Sequence, residues 1–582
     1  MPSPATCRLA SLDEQIAAQH AAIARFETAL WENGFNAALL PSYQSAWRRL
    51  ETLLAKRNDP RHRFILVIPV ADSPVQLQRC LDSLLELCRA FAYGGMQDGY
   101  FSKIAVLLAD DSHTPEGIAA HRTLACDFDA KGLTIEYFGL SEQLALLDRL
   151  DSPELGHIIG NAPREAFGRK GQAIMRNIAW LHLAQRIKDD DRTLIYTLDA
   201  DQQFKVKVDT AEGDSDVCAI NFFAQLDAIF STTDAEVLTG KVVGDPPVSP
   251  AVMAGTFLDD VAAFLQEMAA SNPAQPYRRE AANPKADAAY HDMAGLFGFE
   301  HSADAYRYRC RLPGEPSNAD CFADFARRLK RFFHGEHLTR ITGYRHQPAR
   351  DSVLPARTVY TGNYVFRPRA LQWFIPFAPL RLRMSGPTLG RLMKAGLGPR
   401  FVCANLPMLH TRTLDASGAA EFRPGVVTVA DQIDLADEFE RQFFGDVMLF
   451  TVEQLTALGF PQQALPHETL AATLDAMQVG MAQTYRARQD KIVATFAALI
   501  RLLDELTHGW QLPQQAASLT HFRMFLDNIQ RNFGADSTGH ARIASPANWQ
   551  AWRQRQLAAL TRLPADRCVW NQALAALNHP PA

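Results

Sequence analysis

The sequence predicts an α/β protein built on a mostly parallel sheet with helices on both faces. Three observations lead there. Continuous apolar runs of five to eight residues alternate with segments of helical periodicity, the pattern of strands buried on both faces. The runs end in acidic residues, where ligands of such sheets bind. Both chain ends carry helical periodicity without strand signals.

At 582 residues the chain exceeds what one hydrophobic core organises, so two or three domains are expected. Composition is that of a globular protein: 47% hydrophobic, 21% charged and a formal net charge of −5, without long like-charge blocks. Nothing marks a nucleic-acid binder. No leader pattern and no apolar run near the ~20 residues of a membrane span is present, so a cytoplasmic protein is expected. The nine cysteines are odd in number and never in C-x-x-C spacing, which predicts reduced thiols, neither a disulfide frame nor a zinc site.

Residues 1–60 form a helical N-terminal extension, with Ile16, Ile23, Phe26 and Leu30 at helical intervals and Trp31 and Trp47 as core anchors. The first strand is Arg63 to Val70, followed by a helix from about Pro74 to Phe91. Lys103 to Leu108 is the second strand, running into Asp110 and Asp111, and Leu133 to Phe138 the third. The fourth, from Thr193, runs straight into Asp199-Ala200-Asp201. Two carboxylates two residues apart at a strand exit can face one ion, and hard cations such as Mg²⁺ or Mn²⁺ take oxygen ligands together with substrate phosphates.

Between the third and fourth strands, Gly168-Arg169-Lys170-Gly171 opens an amphipathic helix through Arg176 and Asn177. Glycine-bracketed cations at a helix start offer N–H groups and charge to an anion, and beside an acidic pair they suggest a diphosphate. Ala235 to Gly240 is a further strand. From about 245 to 355 regularity weakens, as in an insertion over the site. Its stretch Arg327 to Arg350, with seven Arg or Lys and three His against one Glu, reads as a solvated helix face or as a patch for a phosphorylated or acidic acceptor. The sheet resumes at Arg357 to Pro368, a helix follows from about Pro387 to Ala395, and the strand from Arg400 delivers His410. After about 420 only helical periodicity remains, in Leu470 to Leu506 and Phe522 to Phe533 for instance, so residues 421–582 form a helical C-terminal domain for support, homo-oligomerisation or acceptor contact.

Taken in order, Pro69 and Asp72, Asp110-Asp111-Ser112, Gly-Arg-Lys-Gly with Arg176, Asp199-Ala200-Asp201, Thr361 to Arg367 and the late His410 resemble the GT-A fold glycosyltransferases over residues 61–420. The resemblance implies a Rossmann-like core and transfer of a sugar from a nucleotide-diphosphate donor, a UDP- or GDP-sugar, to an unidentified acceptor. It places base and ribose against Pro69, Val70, Asp72, Asp110 and Asp111. It places the diphosphate at Arg169 or Lys170, with Arg176 nearby, and Mn²⁺ or Mg²⁺ on Asp199, Asp201 and His410, Asp201 being the direct ligand. Asp201, Lys170 and Asp292 are the expected catalytic residues.

Inverting members of family-two type carry a Glu-Asp pair before the late helix as general base. Here Arg383 to Arg391 contains no acid. Either the base comes from the insertion, with Asp292 or His291 as candidates, or the enzyme retains configuration, as members such as mannosylglycerate synthase do; retention is favoured. Sugar-nucleotide nucleotidyltransferases are the alternative enzyme class, but their glycine-rich loop after the first strand is replaced here by Val70 to Pro74. An inactive sugar-nucleotide-binding scaffold is the non-enzymatic alternative.

Overall fold

The computed structural model describes residues 11–187, 192–210, 213–278, 308, 310–412, 425–510 and 515–578. Helices α1 (Leu12–Trp31) and α2 (Leu40–Arg57) open the chain. Ser11 and Glu14 close a capping box on α1, and Asn58 ends α2 in the left-handed conformation. Ile16, Ile23, Leu30, Tyr43 and Trp47 are buried, while Trp31 stacks on His346.

The sheet region then runs β1 (Arg63–Val70), α3 (Pro74–Phe91), β2 (Met96–Gln97), β3 (Tyr100–Phe101), β4 (Ile104–Asp110), α4 (Pro115–Asp129), β5 (Thr134–Phe138), α5 (Leu140–Leu150), the single turn α6 (Gly156–Ile159) and α7 (Gln172–Arg186). It continues with β6 (Thr193–Leu198), β7 (Gln202–Gln203), β8 (Val206–Thr210), β9 (Gly213–Val217), α8 (Phe222–Thr232), β10 (Val237–Gly244), α9 (Pro250–Ala269), α10 (Asn318–Arg328), β11 (Leu354–Pro355), β12 (Asn363–Phe366), α11 (Ser385–Leu397) and β13 (Phe401–His410).

The main sheet orders β11-β13-β10-β12-β6-β1-β4-β5, with β7 paired to the end of β13. β1 is parallel to β4 and β6, β4 to β5, and β10 to β13, whereas β12 is antiparallel to both β6 and β10. The sheet is therefore mostly parallel. Alternate residues of its strands feed two cores: Phe64, Leu66 and Ile68 face the side of α1 to α3, and Val67, Leu107 and Ile195 face the side of α7.

The segment 245–355 differs from the irregular insertion expected. It contains α9, twenty residues whose buried Phe257, Val261, Phe264 and Leu265 join the α7-side core. Pro246, Pro247 and Pro250, the signals of irregularity, precede or open this helix, where proline is tolerated. Part of the basic stretch is drawn inward, where Arg328 pairs with Asp324 at 2.9 Å, Arg331 with Glu336 at 3.5 Å and Arg340 with Asp260 at 2.9 Å, while Arg327, Lys330, Arg345 and Arg350 stay exposed.

The C-terminal region holds α12 (Ala436–Ala457), α13 (His467–Gly509), α14 (Gln515–Phe533), α15 (Thr538–Ala544) and α16 (Pro546–Asn578), preceded by a hairpin, β14 (Val427–Val429) and β15 (Gln432–Asp434), that helical periodicity did not announce. One core runs from the sheet into these helices: Phe257 meets Phe525 edge-on at 5.8 Å, and the Trp570 indole donates to Leu371 O at 2.8 Å.

Cys310 and Cys321 form a disulfide, against the expectation of reduced thiols throughout. The loop before α10 folds back onto its first turn and sets their Cα atoms 5.6 Å apart, within bridging range. Among the described residues no helix is long and apolar enough to cross a membrane.

Candidate active site

The carboxyl ends of β1, β4 and β6 lie side by side, with Val70 opposite Asp110 in register and Asp111 N donating to Val70 O at 2.8 Å. β6 and β13 are separated by β12 and β10. The turn after β6 nevertheless folds across them, pairing Gln202 with His410 and Gln203 with Leu409, while Thr411 N donates to Asp201 O at 3.3 Å. Two strand ends distant in the sheet order thus deliver Asp201 and His410 to one place.

The two aspartates of the turn have different surroundings. Asp199 accepts from the guanidinium of the fully buried Arg176, whose Nε also donates to Thr197 Oγ1 at 3.2 Å. Gly362 leaves room for this carboxylate, since a Cβ there would stand 2.5 Å from Asp199 Oδ2. Gln202 fixes the turn, its Oε1 accepting from Asp199 N at 3.0 Å and its Nε2 donating to Tyr360 OH at 3.2 Å. Asp201 presents Oδ2 to His410 Nε2 at 3.2 Å and to Arg412 at 3.6 Å. Burial pushes the Asp201 carboxyl up, but attraction to His410 and Arg412 outweighs it and holds the group at about 2. Behind His410, its Nδ1 meets Asp245 O at 2.7 Å, and Asp245 Oδ2 accepts from Arg412 N at 2.9 Å. Burial, reinforced by Glu336, lifts Asp245 to about 6.

The strand ends on the other side form a tight polar network. Asp72 takes a left-handed backbone (φ 49°) and accepts from Thr114 N at 3.0 Å, His113 N at 3.2 Å and Arg169 Nε at 2.9 Å. Burial would raise its carboxyl, but these bonds hold it below the usual range. Asp110 is buried and bound by Ser112 N at 2.8 Å and Tyr137 OH at 2.7 Å, with His121 Nδ1 at 3.2 Å. Asp111 takes Lys170 Nζ at 2.5 Å and Gly171 N at 3.0 Å. The cations and free N–H groups expected to meet a diphosphate are thus met by the chain's own carboxylates: Arg169 by Asp72, Lys170 by Asp111, Arg176 by Asp199. Pro69 and Val70 line the same edge, and Ala200 lies buried between the two aspartates. Asp292 and His291 lie outside the described residues.

The expected metal trio arrives as a pair. Among the described residues no three His, Cys, Asp or Glu side chains are arranged to hold a metal ion, because Arg176 engages Asp199 while Asp201 meets His410. The pair still fits a divalent cation. Asp201 Oδ1 is buried without a hydrogen-bond partner in the chain, and such an atom is ordinarily completed by an ordered water or an ion. The carboxylate suits Mn²⁺ or Mg²⁺ that draws its remaining oxygens from phosphate and water, and the imidazole as a nitrogen donor favours the softer Mn²⁺ of the two.

Arg412, Tyr360, Gln202 and Asp245 belong to this site and were not singled out in the sequence, whereas Gly362, also of the site, falls in the Thr361 to Arg367 stretch that carries the resemblance. Two carried a usable signal: Asp245 closes a strand as Asp110 and Asp199 do, and Arg412 stands two residues beyond His410.

No protein-family model and no curated protein matches the chain. Among solved structures, the mannosyltransferase PcManGT from Pyrobaculum calidifontis, in complex with GDP-Man and Mn²⁺, aligns over 95% of this chain and 98% of its own at 10% identity with a TM-score of 0.29. S. aureus TarS 1-349 aligns over 81% of this chain and 92% of its own at 11% identity with a TM-score of 0.26.

Proposed function

We propose that the chain is a divalent-metal-dependent glycosyltransferase that moves a sugar from a nucleoside-diphosphate donor to an acceptor with retention of configuration. The observation that carries this reading is the partnerless, buried Oδ1 of Asp201 beside His410 and Arg412, at the carboxyl edge of a mostly parallel sheet. Asp201 and His410 would hold the ion, whose chemistry when bound is to neutralise the diphosphate as it leaves. Cleaving the bond from the anomeric carbon to the phosphate oxygen loads negative charge on the leaving group. Arg412, fixed through its backbone by Asp245, stands where a fixed cation stabilises that charge in the transition state more than in the ground state. Arg176 holds the Asp199 carboxylate in place, and Asp199 in turn fixes the Gln202 turn that aims Asp201.

Retention is supported by Arg383 to Arg391, which offers no carboxylate where an inverting base would stand, so a leaving phosphate oxygen takes the acceptor proton. The test is calorimetry of GDP and UDP, each with and without Mn²⁺, on wild type and Asp201→Ala, followed by turnover of the matching donor sugars. Mn²⁺-dependent nucleotide binding that disappears in the variant is expected. Equal binding by the variant overturns the assignment, and conversion of the donor sugar with added pyrophosphate into nucleoside triphosphate and sugar 1-phosphate would point to nucleotidyl transfer.

A further inference from the structure

The C-terminal helices carry a groove that the glycosyl-transfer reading leaves unused. It lies between α13, α14 and the turn of the β14–β15 hairpin and holds about 760 Å³, within the range of ligand-binding clefts. Its floor is apolar. Ile492, Phe496 and Met524 line it, with the exposed Val493 at its edge.

Two asparagines of α14 fix the hairpin that closes one side. Asn528 Oδ1 accepts from Ile433 N at 2.8 Å, Asn528 Nδ2 donates to Asp431 O at 2.9 Å, and Asn532 Nδ2 donates to Ile433 O at 2.8 Å. Backbone groups that a short strand would leave open are met this way, and Asp431 is held beside the groove. Ile433 is buried towards α14, so the alternation of the strand turns its neighbours outward. Val429 stands opposite Gln432, which lines the groove, and Val427 stands opposite Asp434. These two valines are 69% and 55% exposed. The exposed Ile500 continues the apolar edge about two turns beyond Val493 on the same side of α13. Ten large apolar side chains are exposed among the described residues, and four of them lie in or beside this groove. Single exposed apolar residues need no explanation, but several gathered along an apolar cleft mark a contact surface.

The rim is acidic. Asp431, Asp527 and Asp536 line it against Arg531 alone, and none of the three carboxylates takes an ion pair or a side-chain hydrogen bond among the described residues. These charges select the occupant. An anionic membrane or a nucleic acid would be repelled. A two-fold contact between copies of this chain would set the same three aspartates against one another. Apolar side chains flanked by lysine or arginine satisfy both floor and rim, as when an amphipathic helix lays its apolar face in a groove.

We infer that this groove docks a basic amphipathic segment of a partner protein, with apolar side chains against Phe496, Met524 and Val493 and cations at Asp431, Asp527 and Asp536. The inference is independent of the glycosyl-transfer reading. In the test the full chain is titrated with three peptides of about fourteen residues: leucines and lysines in amphipathic helical order, the same order with glutamate for lysine, and the same leucines and lysines arranged without an apolar face. The first binds about ten-fold or more tightly than either of the others, and its affinity falls between about 0.05 M and about 0.3 M salt. Val493→Glu and Asp527→Lys, both at exposed positions, each weaken that binding about ten-fold while the thermal midpoint stays within about two degrees of wild type. Equal binding of the three peptides overturns the inference, and so does undiminished binding by either variant. Sedimentation of the chain alone is unchanged by Val493→Glu. A dimer that this variant dissolves would assign the groove to a second copy and overturn the basic partner.

Discussion

His410 Nε2 lies 3.2 Å from Asp201 Oδ2, although the strands that deliver them, β13 and β6, have β10 and β12 between them. The contact exists because β7 crosses the carboxyl edge and pairs with the last residues of β13. Replacing Asp201 by alanine leaves every sheet pairing in place and removes the carboxylate that faces both His410 and Arg412. Turnover of a sugar-nucleotide donor is expected to fall on the order of 10²-fold or more, the scale of losing a preorganised electrostatic group, with an unchanged circular dichroism spectrum. Full activity of Asp201→Ala in metal-depleted buffer would contradict this.

The sequence places Arg176 near the donor diphosphate, and its guanidinium lies buried against Asp199 and Thr197. Arg176→Ala leaves Asp199 with an uncompensated charge at the end of β6. The expected loss is about 3–5 kcal/mol of stability, the range for breaking one partner of a buried pair, seen as an early transition in a urea melt. An unchanged midpoint together with loss of nucleotide affinity would instead make Arg176 a direct ligand contact.

Gly362 has no side chain where one would collide with the site. A Cβ there stands 2.5 Å from Asp199 Oδ2 and 2.9 Å from both terminal atoms of Gln202. Gly362→Ala must displace the carboxylate from Arg176 or turn Gln202 away from Tyr360. About 1–3 kcal/mol of overpacking strain is expected, with a larger fractional loss of metal-dependent nucleotide binding than of stability. A variant with wild-type nucleotide affinity would show that the Asp199 turn tolerates movement.

The parts legible in the sequence are those set by local pattern. The apolar run at β1 and the proline-started helix α3 occupy the residues their patterns mark, and the acidic residues after β4 and β6 stand at one sheet edge as alternating strand and helix signals require. What was not legible depends on partners far away in the chain. Nothing local in Asn363–Phe366 says that it runs antiparallel between β6 and β10. Lys170 and Arg169 look like free cations until Asp111 and Asp72 are seen to meet them. Cys310 and Cys321 carry no bridging signal in their spacing; the fold of one loop joins them. Arg383 was noticed in the sequence for the acid its neighbourhood lacks, whereas its position depends on Gly445 of α12.

Asp446 tests the join between the sheet and the C-terminal helices. The residue is buried on α12, bound by Tyr485 OH and Gln442 Nε2, and burial lifts its carboxyl from the ordinary value to about 6. A carboxyl raised on folding favours the protonated native state. Its contribution is therefore fully present below the unfolded value near 4, declines as pH rises through about 6, and is constant above. An asparagine side chain at this position does not titrate, so stability of wild type relative to Asp446→Asn should fall between pH 4 and 7, by about 3 kcal/mol at most for a shift of about two units. Paired thermal melts across that range read the difference. A flat difference would mean that Arg488 and Arg383 neutralise the burial cost, and a rising one would mean that the carboxylate is the form that α12 and α13 are built to hold.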